Sequence, residues 1–143
     1  QFNNIELTNI NEIIKEKIEL FRETFSQKEI DIKIHENDVL EIEIDNILCE
    51  MMINNLLKNA FIHNIKQGKV QIKINKSSIT ISNSGKPNAL NEKMIFNYFY
   101  KESNEQNSSG LGLVLIKSIC KKSNLTIEYQ FINKKHTFFI TKK

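Results

Sequence analysis

The sequence predicts an α+β fold, a two-layer sandwich in which one mixed, mostly antiparallel sheet is covered by helices on one face. Three observations predict it. Apolar residues recur at three- and four-residue steps in three segments, as amphipathic helices require, and alternate with polar residues in several shorter ones, as half-buried strands require. The strands come as hairpin-like pairs, without the strict strand-helix alternation of a doubly wound nucleotide fold. The chain has 143 residues, 40% of them apolar, which is enough for one core and too little for two ordinary domains, so residues 1–143 are expected to form a single domain.

The elements follow in order. Thr8 can cap a helix running to about Phe25, whose buried stripe is Ile10, Ile13, Ile14, Ile18 and Phe21. Ile30, Ile32 and Ile34, then Leu40, Ile42 and Ile44, alternate on either side of the polar Glu36-Asn37-Asp38, which reads as a hairpin. Asp45 caps a second helix reaching about His63, with Leu48, Met51, Met52, Leu56 and Ala60 on its apolar side. Val70 to Ile74 and Ile79 to Ile81 form another hairpin around Asn75-Lys76-Ser77-Ser78. From Ser82 to Gly110 the chain is polar and irregular, apart from an apolar knot at Met94, Ile95, Phe96, Tyr98 and Phe99. A third helix starts near Gly110 and carries Leu113, Ile116, Ile119 and Cys120, and strands around Ile127 to Phe131 and Thr137 to Ile140 follow.

Composition removes several function classes. There is no apolar run long enough for a membrane span and no signal-peptide succession, so no membrane contact by this segment is expected. Cys49 and Cys120 both fall within helices, where a thiol acts as a small buried apolar group, which suits a reducing, cytoplasmic setting. The net charge of +3 arises from lysines scattered among glutamates, without a clustered basic face, so nucleic acid is not an expected partner. Because residue 1 is Gln, the chain is expected to be an excerpt of a longer protein.

Three constellations carry chemistry. Asn55, Asn59 and His63 stand at i, i+4 and i+8, a polar column that continues the apolar stripe of the second helix. Buried amides need partners, since an unsatisfied one costs about 1–3 kcal/mol. Ligand oxygens or a hydrated cation would supply them, and backbone groups at the core edge would serve equally. Asn83-Ser84-Gly85-Lys86-Pro87 directly follows a strand, where Gly85 allows a sharp turn or a close approach to a flat ligand. Its Ser-Gly-Lys is not a P-loop, because no glycine stands five residues before Gly85 and Pro87 follows the lysine. Gly110-Leu111-Gly112-Leu113 opens a helix after a polar stretch, leaving free N-H groups and a positive helix end that suit phosphate oxygens. Alone, it would equally serve as a hinge. Of the remaining histidines, His35 lies at a strand end beside Glu36, which does not suit a phosphoacceptor, and His136 has no carboxylate or cysteine near it in sequence for a triad or metal site.

Taken in order, these pieces resemble the ATP-binding catalytic domain of bacterial sensor histidine kinases, within the superfamily that also holds gyrase, the Hsp90 chaperones and MutL. The resemblance spans nearly the whole chain and implies the Bergerat-type ATP-binding fold. Asn55-Leu56-Leu57-Lys58-Asn59-Ala60 looks like the family's asparagine box, which implies that Asn55 and Asn59 hold magnesium and, with His63, contact ATP. Asn83 and Gly85 stand in the first glycine box, where an aspartate usually accepts the adenine amino group. Asn83 keeps the acceptor and loses the charge, and Pro87 stands near where a later glycine falls. Phe96 to Lys101 is similar to the paired-phenylalanine box, and Lys101 to Ser109 to the lid that follows it, which implies Lys101 as a candidate phosphate contact. Gly110, Leu111, Gly112 and Leu113 match the second glycine box, with Ser108 and Ser109 offering hydroxyls to the phosphates.

The resemblance implies an ATP-dependent protein histidine kinase domain that uses magnesium and donates the γ-phosphoryl group to a histidine on a separate dimerisation domain. No residue of the segment is itself the phosphoacceptor, and a response regulator is the implied downstream partner. Gyrase-type hydrolases and anti-sigma serine kinases usually place a glutamate base at the position of Asn55, and an asparagine cannot take a proton. A module that has kept the fold as a regulatory or interaction domain without turnover is the reading that Asn83 and Pro87 would support.

Overall fold

The computed structural model describes residues 4–90, 95–96 and 112–143. Strand β1 (Ile5–Asn9) leads directly into helix α1 (Ile10–Thr24), and a short 3-10 turn at Ser26–Lys28 follows. Strands β2 (Asp31–Glu36) and β3 (Glu41–Asp45) precede helix α2 (Asn46–Ile62). Strands β4 (Lys69–Ile74) and β5 (Ser78–Asn83), helix α3 (Gly112–Lys122), and strands β6 (Leu125–Ile132) and β7 (Lys135–Lys142) complete the described order.

Five strands form one mixed sheet in the order β2-β4-β5-β7-β6, parallel between β2 and β4 and antiparallel elsewhere. The expected α+β architecture is therefore present, with α1, α2 and α3 packed on the sheet through one continuous core. That core joins Ile14 and Ile18 of α1, Met52, Ile53, Leu56 and Leu57 of α2, and Ile116 and Ile119 of α3 to Ile72, Ile81, Phe138 and Ile140 of the sheet. Phe61, fully buried near the end of α2, stacks on Phe21 and lies against Phe25, with ring centroids 5.6 and 5.7 Å apart.

Two details of the early chain differ from the sequence reading. Strands β2 and β3 do not form a hairpin. β2 pairs in parallel with β4, and β3 pairs antiparallel with β1 in a separate two-stranded sheet. Alternation identifies a strand but not its partner, and here long-range bonds decide the pairing. The Asn11 side chain on α1 donates to Asp38 O and accepts from Leu40 N, while Asn37 N and Asp38 N donate to Ile74 O, so the connecting segment is tied to α1 and β4. The cap of α1 is Asn9 rather than Thr8, because Thr8 is held extended in β1 while the Asn9 carboxamide oxygen accepts from Glu12 N at 3.2 Å.

Helix α2 begins and ends where the sequence placed it. Asp45 Oδ1 accepts from Ile47 N and Leu48 N at 2.9 and 3.1 Å, and His63 is the C-terminal cap. These bonds, with that of Leu48 first in effect, hold the Asp45 carboxyl below the usual carboxylate range. At the other end the Lys28 ammonium donates to Phe61 O, Ile62 O and Asn64 O at 2.8, 2.8 and 3.1 Å. A cation thus satisfies carbonyls that a helix end leaves without partners and opposes the negative pole of its dipole. Both ends of the helix that carries the polar column are therefore fastened.

Candidate functional site

The column of Asn55, Asn59 and His63 is half-buried along α2, beside the buried Leu56 and Ala60. The Asn55 amide NH2 donates to Met51 O at 2.8 Å, one turn back along the helix. Its carbonyl oxygen lies toward Gly112 at the start of α3. A Cβ built on Gly112 would come within 3.1 Å of Asn55 Oδ1. The fold thereby brings the asparagine column of α2 against the glycine-opened start of α3, two features more than fifty residues apart in sequence.

Asn83 ends β5 and is 2% exposed. Its amide NH2 donates to Ser84 O at 2.7 Å, which fixes which way the amide faces. Its oxygen Oδ1 is buried and has no hydrogen-bond partner among the described residues. A buried acceptor of this kind is costly unless a ligand or ordered group supplies a donor.

The segment after Asn83 is pinned on several sides. Ser84 N donates to Lys69 O, and Ser84 Oγ accepts from Lys69 N. Gly85 threads a narrow gap, since a Cβ there would stand 2.8 Å from His63 O and 3.1 Å from His136 Cδ2. His63 at the end of α2 thus meets the Asn83 segment through its main chain. His136 was set aside in the sequence because its neighbours in the chain offered no catalytic or metal-binding partner. The structure places it directly across from Asn83 in the β5-β7 pairing, buried beneath this segment. Only the register of two strands more than fifty residues apart makes that visible. His35, in contrast, lies exposed on the sheet-edge strand β2.

Leu113, in the first turn of α3, packs half-buried against the core. Ile95 is buried, and the Phe96 ring meets the edge of Phe138 at 6.4 Å, with the Lys117 ammonium 5.2 Å from its centroid. Lys101, Ser108, Ser109, Gly110 and Leu111 lie outside the described residues. Cys49 and Cys120 are buried free thiols, raised by burial to about 11 and about 12, so neither serves as a nucleophile near neutral pH. Among the described residues no three His, Cys, Asp or Glu side chains gather to hold a metal ion, and no helix is long and apolar enough to cross a membrane. A cation at this site would draw instead on amide oxygens such as Asn55 Oδ1 and on oxygens of a ligand, the donor set that a hard cation prefers.

The chain belongs to the family of histidine kinase-, DNA gyrase B- and HSP90-like ATPases, whose sequence model matches residues 44–142. Its fold is that of histidine kinase catalytic domains. Among curated proteins it is similar to the sensor histidine kinase HprS of Escherichia coli (strain K12), 27% identical over 138 residues that make up 92% of this chain and 30% of HprS. It is 36% identical over 97 residues to the heme sensor protein HssS of Staphylococcus aureus (strain NCTC 8325 / PS 47), a match that covers 64% of this chain and 21% of HssS. The chain thus spans less than a third of either relative. Among solved structures, the catalytic domain of histidine kinase ThkA superposes with a TM-score of 0.78 at 26% identity, over 95% of each chain. ThkA in complex with the response regulator protein TrrA matches with a TM-score of 0.75 at 24% identity, over 95% of this chain and 40% of that one.

Proposed function

We propose that this chain is the catalytic domain of a sensor histidine kinase that binds ATP with magnesium and donates the γ-phosphoryl group to a histidine on a separate domain. The observation that carries this reading is Asn83 Oδ1, a buried acceptor without a partner at the end of β5. The exocyclic amine of adenine is a donor of the kind it lacks, and the bond from the amide NH2 to Ser84 O leaves the oxygen as the group of the amide to receive it. Asn83 then reads the base, and Gly85 keeps the adjoining main chain free of side-chain bulk.

Asn55 and Asn59 would hold magnesium through their amide oxygens, with His63 a further ATP contact in the same column. Magnesium, when bound, neutralises the charge that develops on the transferred phosphoryl group. Gly112 and Leu113 at the start of α3, with Gly110 and Leu111 before it in sequence, would offer main-chain N-H groups to the phosphates, and Lys101, Ser108 and Ser109 would add side-chain contacts. No side chain of this chain is proposed as the phosphoryl acceptor.

The partners that follow are a dimerisation domain of the same kinase, which presents the acceptor histidine, and a response regulator, as in the complex of ThkA with TrrA. The setting is cytoplasmic, where ATP is available. The test is calorimetric titration of the chain with a non-hydrolysable ATP analogue, with and without magnesium. Magnesium-dependent binding is expected. A folded chain that binds no nucleotide under either condition would replace this reading with that of an interaction module.

A further inference from the structure

Beneath the segment that follows β5 lies a buried polar pair that nucleotide contacts do not account for. His136 on β7 is 5% exposed and Tyr129 on β6 is 4% exposed. His136 Nε2 lies 2.8 Å from Lys86 O, and Nδ1 lies 2.7 Å from the Tyr129 hydroxyl. A main-chain carbonyl can only accept, so Nε2 carries the hydrogen. The other nitrogen of a neutral imidazole is then an acceptor, and the Tyr129 hydroxyl donates to it. The Tyr129 oxygen in turn accepts from Leu90 N at 2.9 Å. With a neutral imidazole these bonds run from Leu90 N-H to Tyr129 O-H to His136 Nδ1, and from His136 Nε2-H to Lys86 O.

Both bonds that leave this pair for the segment after Asn83 end on main chain, at Lys86 and at Leu90. Phenylalanine or leucine would fill the same volume without the desolvation cost of an imidazole and a phenol. The ring of His136 also forms part of the gap that Gly85 threads, and His136 faces Asn83 across the β5-β7 register. Ser84, whose carbonyl fixes the Asn83 amide, stands between that register position and the Lys86 anchor.

We propose that His136 and Tyr129 are positioning residues that set base specificity, by holding the Ser84 to Leu90 main chain so that Asn83 presents only its oxygen to the ligand. The inference rests on the nucleotide reading of the site. An amide that cannot turn accepts from the amine of adenine and repels the carbonyl of guanine at the same place. Once the segment loosens, Ser84 O shifts, the amide can turn its NH2 toward the ligand, and the two bases become harder to distinguish.

The test compares non-hydrolysable ATP and GTP analogues by calorimetry on the wild-type chain and three variants, with folding checked by thermal melts. His136→Phe keeps the ring and removes both bonds, and is expected to weaken ATP-analogue binding about tenfold while narrowing the ATP-to-GTP ratio. Tyr129→Phe removes the Leu90 anchor and the donor to His136 Nδ1 but leaves the bond from His136 to Lys86 O, and is expected to narrow the ratio less. His136→Gln, whose amide can both accept from Tyr129 and donate to Lys86 O, is expected to restore it. Nitrogen-15 shifts of the wild-type imidazole, which need no variant, are expected to show the Nε2-H tautomer.

A folded His136→Phe chain with an unchanged ratio, or an Nδ1-H imidazole in the wild type, would overturn the proposal and leave nucleotide binding intact. A wild-type chain that binds neither analogue would remove the nucleotide reading itself, and this inference with it.

Discussion

Replacing Asn83 by alanine removes the buried acceptor on which the nucleotide reading rests, and the size of the effect follows from the structure. Oδ1 has no partner among the described residues, so the unliganded state already bears the cost of a buried unpaired acceptor, about 1–3 kcal/mol. A ligand amine relieves that cost on binding. The bond from the Asn83 amide NH2 to Ser84 O is present whether or not ligand is bound, so its loss largely cancels from the binding energy. Asn83→Ala is therefore expected to weaken binding of an ATP analogue by about 1–3 kcal/mol, roughly fivefold to 150-fold. Loosening of the segment would also weaken binding, so the decisive assay is a cycle with a second ligand. Wild type and variant are each titrated with the ATP analogue and with its counterpart whose purine lacks the 6-amino group. Removing the amine is expected to cost the wild type about as much as the mutation does and to cost the variant almost nothing further, a coupling of about 1–3 kcal/mol. Equal losses for both ligands on mutation, with no coupling, would refute the assignment of Asn83 to the base.

Asn59→Ala is expected to abolish the magnesium-dependent part of nucleotide affinity, so that titrations with magnesium and with chelator give the same dissociation constant. Lys28→Met leaves the carbonyls of Phe61, Ile62 and Asn64 without their ammonium donor and is expected to destabilise the chain by about 1–3 kcal/mol in urea unfolding, with the slope unchanged. Cys49 and Cys120, raised by burial to about 11 and about 12, are expected to resist a thiol reagent at pH 8 in the folded chain and to react fully in denaturant. Asp45 is held below its ordinary 3.8, so it stabilises the fold above that pH and the contribution is lost as pH falls through the lower folded value. Asn is also a good helix cap, so Asp45→Asn is expected to flatten the acid limb of stability, measured by unfolding between pH 5 and pH 2, while keeping α2 capped.

The parts of this fold that sequence reveals are those fixed by neighbours in the chain. Helix α2 is legible because an Asp cap, an apolar stripe and a polar column all fall within one stretch, and the β4-β5 hairpin because its two strands flank a short polar turn. The β2-β3 pairing was misread because a local hairpin and a parallel crossover to β4 produce the same alternation. What separates them is a set of bonds from Asn11, Asn37 and Asp38 to distant main chain. β1 was hidden for a related reason. Its Ile5 and Leu7 are exposed, so its residues carry little buried signal, and it is held as a strand by β3. At the candidate site, Asn55, Asn59, His63, Asn83 and Gly85 are proposed from helical spacing and motif order. Tyr129 and His136 lie on late strands whose relation to Asn83 exists only in the folded register.

The two amides of the candidate site, Asn55 and Asn83, share one arrangement. A carboxylate offers only acceptors, whereas an amide offers an acceptor and a donor that are free to exchange places. In this chain each donor is already engaged by main chain, Asn55 NH2 by Met51 O and Asn83 NH2 by Ser84 O, so each amide shows a fixed oxygen to whatever binds. Orientation replaces charge. The exchange has a consequence at position 83, because an aspartate there would gain a stronger, charge-assisted bond to a ligand amine but would also set a carboxylate oxygen where the amide nitrogen now sits, 2.7 Å from the Ser84 carbonyl oxygen. The gain and the repulsion oppose each other within the same side chain. The asparagine is therefore matched to the Ser84 to Leu90 main chain as it is held here, and an aspartate at position 83 would press against the Ser84 carbonyl unless that segment moved.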